Sequence, residues 1–358
     1  GAGIQLGPNA FAAFDALGVG EPARGRAVYT DEMVMTDALD ETVVGRIPLG
    51  AAFRQRFGNP YAVIHRADVH LSLLEGVRAS GRIELRSSTA VTGFEQDEAG
   101  VTVHDAGGGR HRGLALIGAD GVKSVVRQHC VGDAARVSGH VVYRAVVERA
   151  DFPADLQWNA AAIWVGPNCH LVHYPLRGGE QYNVVVTFHS REREEWGVRE
   201  GSRAEVQSYF EGICPRARQL IDLPRSWKRW ATADREPIAN WTHGRATLLG
   251  DAAHPTLQYL AQGACMALED AVTLGAAVRV HGSARSHDFG AAFAHYQRSR
   301  VARTARVVLS SREMGRIYHA KDVERLVRND LWRGRTPERF YDAMEWLYGW
   351  RADDCLAD

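Results

Sequence analysis

The segment that most limits what this chain can fold into is Ala246-Thr247-Leu248-Leu249-Gly250-Asp251-Ala252-Ala253-His254-Pro255, followed by Gln262-Gly263-Ala264 and Leu268-Glu269-Asp270-Ala271. An apolar run too short for a helix passes directly into a glycine turn, a carboxylate and a small-residue helix start. A strand feeding a helix through a tight turn is the repeating unit of an open α/β sheet, and ligands of such sheets gather at the carboxyl ends of the strands. Asp251 can accept from a ribose hydroxyl. Gln262, Gly263 and Ala264 offer backbone N–H groups at the positive end of a helix dipole to an anionic oxygen. A structural Asp beside an ordinary helix N-terminus would give the same pattern.

A second stretch, Gly118-Ala119-Asp120-Gly121-Val122-Lys123-Ser124-Val125-Val126-Arg127, also follows a short apolar strand, Leu114 to Gly118. Asp120 reads either as a ligand contact in the crevice or as the cap of the turn, with Ser124 and Arg127 orienting it. At His65-Arg66-Ala67-Asp68 a strand gives way to a helix, where Arg66 could meet a phosphate or a surface counter-charge. Asp68 is the N-cap candidate of that helix, Val69, Leu73, Leu74 and Val77 its apolar stripe, and Gly81 its stop.

Around these turns the pattern divides the chain. Residues 1–136 read as the first part of an α/β domain. Pro8-Asn9 opens a helix carrying Phe11, Phe14 and Leu17, stopped by Gly18 and Gly20, and residues 21–60 read as loop with short strands. Arg82 to Arg86, Ala90 to Glu95 and Val101 to His104 read as strands, the last two joined by a turn at Asp97-Glu98-Ala99-Gly100. Residues 137–239 carry alternating, aromatic-rich strands at Val141–Val147, Ala160–Val165, Cys169–Tyr174 and Tyr182–Phe188, with a turn at Arg177-Gly178-Gly179-Glu180 and a helical segment near Ala204–Leu220. Residues 240–312 return to the α/β domain with helices at Gly263–Val280 and Asp288–Arg312. Residues 313–358 form a helical C-terminal segment. Arg300, Arg303 and Arg306 read as a solvated or dimer-facing stripe, and Trp332, Trp346, Tyr348 and Trp350 as a homodimer surface or as core.

The 358 residues carry Lys+Arg 43 against Asp+Glu 43, which removes the basic surplus expected of a general nucleic-acid binder. Five scattered cysteines without a C-x-x-C pair argue against a disulfide framework or a metal site and for a reducing cytoplasm. No apolar run has the length of roughly 18 residues that a membrane span needs.

Taken together, Asp120-Gly121-x-x-Ser124-x-x-Arg127 and Gly250-Asp251-Ala252-Ala253-His254 with Gln262-Gly263 and Glu269-Asp270-Ala271 resemble the two long motifs of the group A FAD-dependent aromatic hydroxylases. Gly1-Ala2-Gly3-Ile4-Gln5-Leu6-Gly7-Pro8-Asn9-Ala10 is similar to the family segment that passes beside the isoalloxazine ring. The resemblance covers essentially the whole chain and implies a Rossmann-like FAD-binding domain, an inserted β-sheet-rich substrate domain and C-terminal helices. It implies that Gly3, Ile4, Gln5, Arg66, Asp120, Asp251, Gln262, Gly263 and Ala264 contact FAD. The family's opening strand, G-x-G-x-x-G turn, helix and second strand are not found. About 40 residues of that kind are expected before Gly1, so the fold class is that domain, N-terminally incomplete.

Within the family, Asn168-Cys169-His170-Leu171-Val172-His173-Tyr174, His254-Pro255-Thr256-Leu257-Gln258-Tyr259-Leu260 and Pro60-Tyr61 resemble the members that hydroxylate 3-hydroxybenzoate. That resemblance implies an aromatic site lined by Tyr61, His170, Tyr174 and Gln258, with His170 as base, Gln258 orienting the substrate hydroxyl, and Tyr61 and Tyr174 holding the ring or its carboxylate. It implies NADH or NADPH as reductant, O2 as co-substrate, a flavin C4a-hydroperoxide as hydroxylating species, and 2,5-dihydroxybenzoate (gentisate) as product. Three other readings are a decarboxylating hydroxylase of the salicylate type, a flavin-dependent oxidoreductase that inserts no oxygen, and a truncated, non-catalytic homologue that serves as a binding module. His173, on the other face of the strand that carries His170, is the internal control.

Overall fold

The computed structural model describes residues 3–282 and 288–356. Gly1 and Ala2 of the segment likened to the flavin-side strand lie outside the described residues. The first third of the chain runs β1 (Gly3–Leu6), α1 (Pro8–Ala16), α2 (Gly20–Arg26), β2 (Val28–Tyr29), β3 (Glu32–Asp37), β4 (Val43–Pro48), α3 (Ala51–Phe57), β5 (Ala62–His65) and α4 (Arg66–Ser80). It continues through β6 (Val91–Asp97), β7 (Gly100–Asp105), β8 (Arg110–Gly113), β9 (Leu116–Gly118) and α5 (Val125–Cys130). Next come β10 (Arg136–Glu148), β11 (Ala160–Gly166), β12 (Cys169–Leu176), β13 (Gln181–His189), β14 (Gly197–Gly201), α6 (Arg203–Tyr209), α7 (Pro215–Asp222) and β15 (Trp227–Asp234). The chain closes with β16 (Thr242–His243), β17 (Ala246–Leu248), α8 (Gly263–Val280), α9 (Phe289–Tyr318), α10 (Asp322–Trp332) and α11 (Pro337–Tyr348).

The dominant sheet has eight strands in the order β14-β15-β10-β13-β12-β11-β3-β4. Six come from residues 136–234, and β3 and β4 join from the first part of the chain through a parallel pairing of β3 with β11. Side chains alternate across it. Tyr143, Trp164, Leu171, Val184, Val186 and Phe188 form one face, against which α6 and α7 bury Val206, Phe210, Leu220 and Ile221. The opposite face carries Val142, Arg144, His170, Val172, Tyr174, Asn183, Val185 and Thr187 and is turned toward β1, α9 and the turn at Gln258–Leu260. β17 pairs in parallel with β9, setting Leu248 beside Gly118, so the two glycine turns noted in the sequence leave neighbouring strand ends.

Several sequence expectations need correction. Residues 21–60 contain the helices α2 and α3 as well as strands, and Gly20 opens α2 instead of ending α1. Residues 82–86 are irregular, with Ile83 and Leu85 exposed, because no strand among the described residues pairs with them. The N-cap of α4 is His65, whose side chain accepts from the Ala67 N–H, while Asp68 sits in the first turn. Arg300 is buried, not solvated, and Arg303 is partly buried against the same carboxylate. Of the two readings of the C-terminal aromatics, core packing is seen: Tyr348 packs edge-on against Phe53, Phe57 and Tyr61, Trp346 and Trp350 pack partly buried on the same core, and Trp332 packs beside Met35 and Val44.

Candidate active site

The cradle for a nucleotide is built from turns held by buried ions. Gly250 has φ +61°, a left-handed conformation that a side chain resists, and its N–H donates to Asp270 Oδ2 at 2.9 Å. The same oxygen lies 2.6 Å from His254 Nε2, and Oδ1 receives Arg300 Nε at 2.7 Å. Burial alone would raise the Asp270 pKa, but His254, Arg300 and the Gly250 N–H together hold the carboxylate far below its ordinary range. Glu269 takes Arg300 and Arg303, each at 2.7 Å, and Asn9 Nδ2 at 2.7 Å. Asn9 Nδ2 also reaches Gln262 Oε1 at 2.9 Å, which seats the N-cap of α8 against α1. Glu269 and Asp270 are therefore the foundation of the turn, and the surface it presents outward is Asp251 with the first turn of α8.

Asp251 is solvent-accessible, yet enough protein surrounds it that desolvation raises its pKa, against the pull of His254 and Arg66. Such a group lies in a cleft. A Cβ at Gly263 would stand 3.7 Å from Asp251 Oδ1, so carboxylate and helix N-terminus share that cleft, with Ala264 exposed beside them. Asp120 does different work. Its carboxylate accepts from Ser124 Oγ, from Val125 N at 2.7 Å and from Val126 N at 3.2 Å, so it caps α5. Arg127, fully buried, donates to the carbonyls of Ala252 and Ala253 and pairs with Asp133, which also receives Arg235. This bolts the two turns together. Arg66 stands exposed at the start of α4, with no carboxylate partner among the described residues.

β1 runs antiparallel to β5, placing Gly3 opposite His65 and Gln5 opposite Val63. Its Gly3 N–H donates to Asn183 Oδ1 at 2.9 Å, and a Cβ there would stand 2.6 Å from a ring carbon of Tyr174. Only glycine lets β1 lie this close to the sheet. Tyr61 is buried and donates its hydroxyl to Gln5 Oε1. Burial, then the phenols of Tyr348 and Tyr174, push Tyr61 well above an ordinary phenol. Gly3, Ile4, Gln5, Tyr61 and Tyr174 thus meet where β1 touches the eight-stranded sheet.

His170 occupies the other end of that sheet face, 3% exposed, with Nδ1 2.8 Å from His319 Nε2. Burial first, and then His140, lowers its pKa to about 3, so the ring is neutral near pH 7 and free to accept a hydrogen bond. Tyr259 lies 5.5 Å from His170 between ring centroids and brings with it the neighbouring Gln258, whose Nε2 is buried without a hydrogen-bond partner. Tyr318, 5.6 Å from His170, spans the gap to Tyr61. His173 points to the opposite face between Phe152 and Trp158, outside this chamber.

The pairing of β12, β13 and β10 adds residues that sequence reasoning missed. His170, Thr187 and Val142 form one row across the face; Val172, Val185 and Arg144 the next; Tyr174, Asn183 and Val146 the third. Arg144 is partly buried, has no carboxylate partner among the described residues, and lies close enough to Tyr174 and Arg66 to feel both. Desolvation lowers its pKa, as expected of a cation whose counter-charge is not part of the protein fold. Asn183 Nδ2 is likewise buried and unpartnered. The visible signal was one charged and one amide residue interrupting the apolar runs Val141–Val147 and Tyr182–Phe188.

β1 touches the face of the sheet that carries Tyr174 and Asn183, and comparison with known proteins gives the family of the chain. The family model described as "FAD binding domain" matches residues 6–311, so the chain belongs to that family and, within it, to the flavin-dependent aromatic hydroxylases. It is 76% identical over 357 residues to 3-hydroxybenzoate 6-hydroxylase of Polaromonas naphthalenivorans (strain CJ2), covering 100% of this chain and 88% of that protein. The enzyme of the same name from Klebsiella oxytoca is 60% identical, with 99% and 89% covered. Among solved structures, Klebsiella pneumoniae HpxO complexed with FAD and uric acid superposes with a TM-score of 0.83 at 28% identity, covering 99% of this chain and 88% of that one. A salicylate hydroxylase substrate complex gives 0.83 at 26%, covering 99% and 89%. No helix among the described residues is long and apolar enough to cross a membrane.

Proposed function

We propose that this flavoprotein hydroxylates 3-hydroxybenzoate para to its hydroxyl group, giving 2,5-dihydroxybenzoate, with NADH as reductant and O2 as oxygen donor. The observation that carries the reading is the pair of unlike groups on one apolar face. A buried neutral histidine, His170, and a cation without a counter-charge, Arg144, stand in adjacent rows separated by Val142, Val172 and Val185. Alternate residues on a strand are roughly 7 Å apart and β10 lies two strands, about 10 Å, from β12, a span that the long arginine side chain shortens toward the length of a benzoate ring with a substituent at each end.

FAD fits the cleft: Asp251 suits a ribose hydroxyl, the N–H groups of Gln262, Gly263 and Ala264 suit pyrophosphate oxygens, and β1 with Arg66 flanks the ring end. When bound, the flavin supplies the electrons taken from NADH and the activated oxygen. The chain's own residues do the rest. Arg144 and the Tyr174 hydroxyl take the substrate carboxylate by charge-assisted hydrogen bonds. His170 Nε2, left free by the bond at Nδ1, accepts the phenolic proton, with Gln258 donating to the same oxygen. A phenol titrates near 10, so without a base the electron-rich phenolate would be scarce at neutral pH. The three valines keep water from the reacting carbon. Asp120 holds the turn before α5 through its capping bonds and, being exposed beside the neighbouring strand end, is also offered to the cofactor. The five free cysteines fit a reducing compartment, and the reading places the enzyme in the cytoplasm.

The test is aerobic NADH consumption by the FAD-supplemented chain with 3-hydroxybenzoate, salicylate and 4-hydroxybenzoate, with products separated by chromatography. Gentisate from 3-hydroxybenzoate is expected. Catechol from salicylate as the main product would replace this reading with a decarboxylating one, and flavin binding without any hydroxylated product would leave a binding module.

A further inference from the structure

Once His170 has taken the phenolic proton, that proton sits on a ring that is itself buried from solvent. We propose that His319 is a proton-relay residue that removes the proton from behind His170, and that His140 and His189 continue the route to the surface. The proposal deepens the function given above and rests on His170 being the base.

Four observations carry it. His170 Nδ1 and His319 Nε2 are 2.8 Å apart although one ring is on β12 and the other caps the end of α9. Both rings are buried, so no solvent competes for that bond. Beyond His319 lies His140 at 5.3 Å between centroids, and beyond it His189 at 5.1 Å, which is exposed. Tyr259 closes the side of the chain, its hydroxyl 2.7 Å from His140 Nδ1 and its ring 5.7 Å from His319. Tyr259 is fixed there because α9 has Gly315 beneath it, where a Cβ would come within 2.6 Å of the phenol ring.

The groups facing His319 are His170 from β12, His140 from β10, His189 from β13 and Tyr259 from its turn. His140 further along feels Arg136 of its own strand and Asp234 of β15. No carboxylate bonds His319 among the described residues. A carboxylate there would trap the proton as a stable imidazolium, whereas neutral rings pass it on. The step balances without redox change. The substrate O–H bond breaks and its proton bonds to His170 Nε2. The Nδ1 proton of His170 moves to His319 Nε2, His319 releases its Nδ1 proton to His140, and His140 passes one proton by way of His189 to solvent, the last two transfers requiring ring rotation because no hydrogen bond joins those rings among the described residues. The phenolate keeps the electron pair and one proton reaches solvent.

The experiment is stopped-flow mixing of the FAD-loaded chain with 3-hydroxybenzoate in weak buffer, following phenolate absorbance and, with an indicator dye, proton release. His319→Gln retains a hydrogen-bonding side chain of similar reach but cannot titrate. It is expected to leave the final phenolate level near wild type while slowing proton release roughly tenfold or more, with partial recovery on adding imidazole. His140→Asn should slow release less, and His173→Gln, on the opposite face, should not. Wild-type release rates in His319→Gln with intact phenolate formation would overturn the relay alone. No phenolate and no proton release in the wild type would overturn the base and the relay together.

Discussion

At the scale of single residues, Arg144 makes the sharpest prediction. It has no carboxylate partner among the described residues, only the Trp230 ring 6.0 Å from its guanidinium, so Arg144→Met keeps the apolar contact and removes chiefly what a ligand anion supplies. A hydrogen bond between charged groups contributes about 1.5–3 kcal/mol. The KM for 3-hydroxybenzoate should therefore rise by roughly one to two orders of magnitude, with kcat changed less. Binding of the uncharged 3-hydroxybenzamide, followed by perturbation of the flavin spectrum, should be nearly unaffected. An equal loss for acid and amide would show that Arg144 is structural. Residue identities at the site were only partly legible in the sequence. Tyr61, His170, Tyr174 and Gln258 came from resemblance to known motifs. Arg144, Asn183 and Tyr318 did not, because their place depends on which strand lies beside β12 and how α9 ends. Pairings at a separation of tens to hundreds of residues leave no local pattern.

Elements were more legible where the signal was local. The boundaries of α8 follow from the small residues after Gln262, and the β12–β13 hairpin from Arg177-Gly178-Gly179-Glu180. What fastens elements together was hidden. Arg300, Arg303 and Arg306 at three-residue spacing look like a solvated stripe, yet Arg300 and Arg303 meet Glu269 and Asp270 of α8, and Arg306 stacks 4.0 Å over Trp346. A buried guanidinium is tolerated only with such partners, and removing one side of the pair leaves uncompensated charge. Arg300→Met should destabilise the protein by about 3–5 kcal/mol, readable as a lowered urea midpoint, and should loosen Gly250 along with Asp270. An unchanged midpoint would mean that the clamp between α8 and α9 does not hold the turn. A gentler probe of the same interface is Gly315→Ala. Its methyl group would meet the Tyr259 ring and displace it from His140. A cost of about 1–3 kcal/mol is expected from overpacking, together with slower proton release from bound substrate.

Across the whole molecule, zero formal charge means that anion affinity is local, set by Arg144, Arg66 and one helix end instead of a global field. It also leaves acid stability to be decided by buried groups. Burial, with smaller contributions from neighbouring cations and histidines, lowers His170 and His173 to about 3 and His140 to about 4, and His319 well below its usual value. In the unfolded chain each titrates near 6.5. Because the folded pKa values are depressed, the unfolded state binds these protons first as the pH falls. The stabilisation is complete above about 6.5 and is lost progressively down to the folded values. Each such histidine contributes a slope of about 1.4 kcal/mol per pH unit inside that window. Urea midpoints measured from pH 7.5 to 5 should therefore fall steeply below pH 6.5, well above the range where carboxylates titrate. His173 isolates the effect, since neither ring nitrogen has a hydrogen-bond partner among the described residues, Phe152 and Trp158 pack against the ring, and the one charge that bears on it, Arg216, acts in the same direction as burial. His173→Leu should remove about one proton from the pH dependence between 6 and 5 while leaving flavin binding and the substrate chamber on the other face untouched. The same slope in wild type and variant would mean that His173 takes up its proton without unfolding, and the acid lability would then have to be traced to His140, His170 and His319.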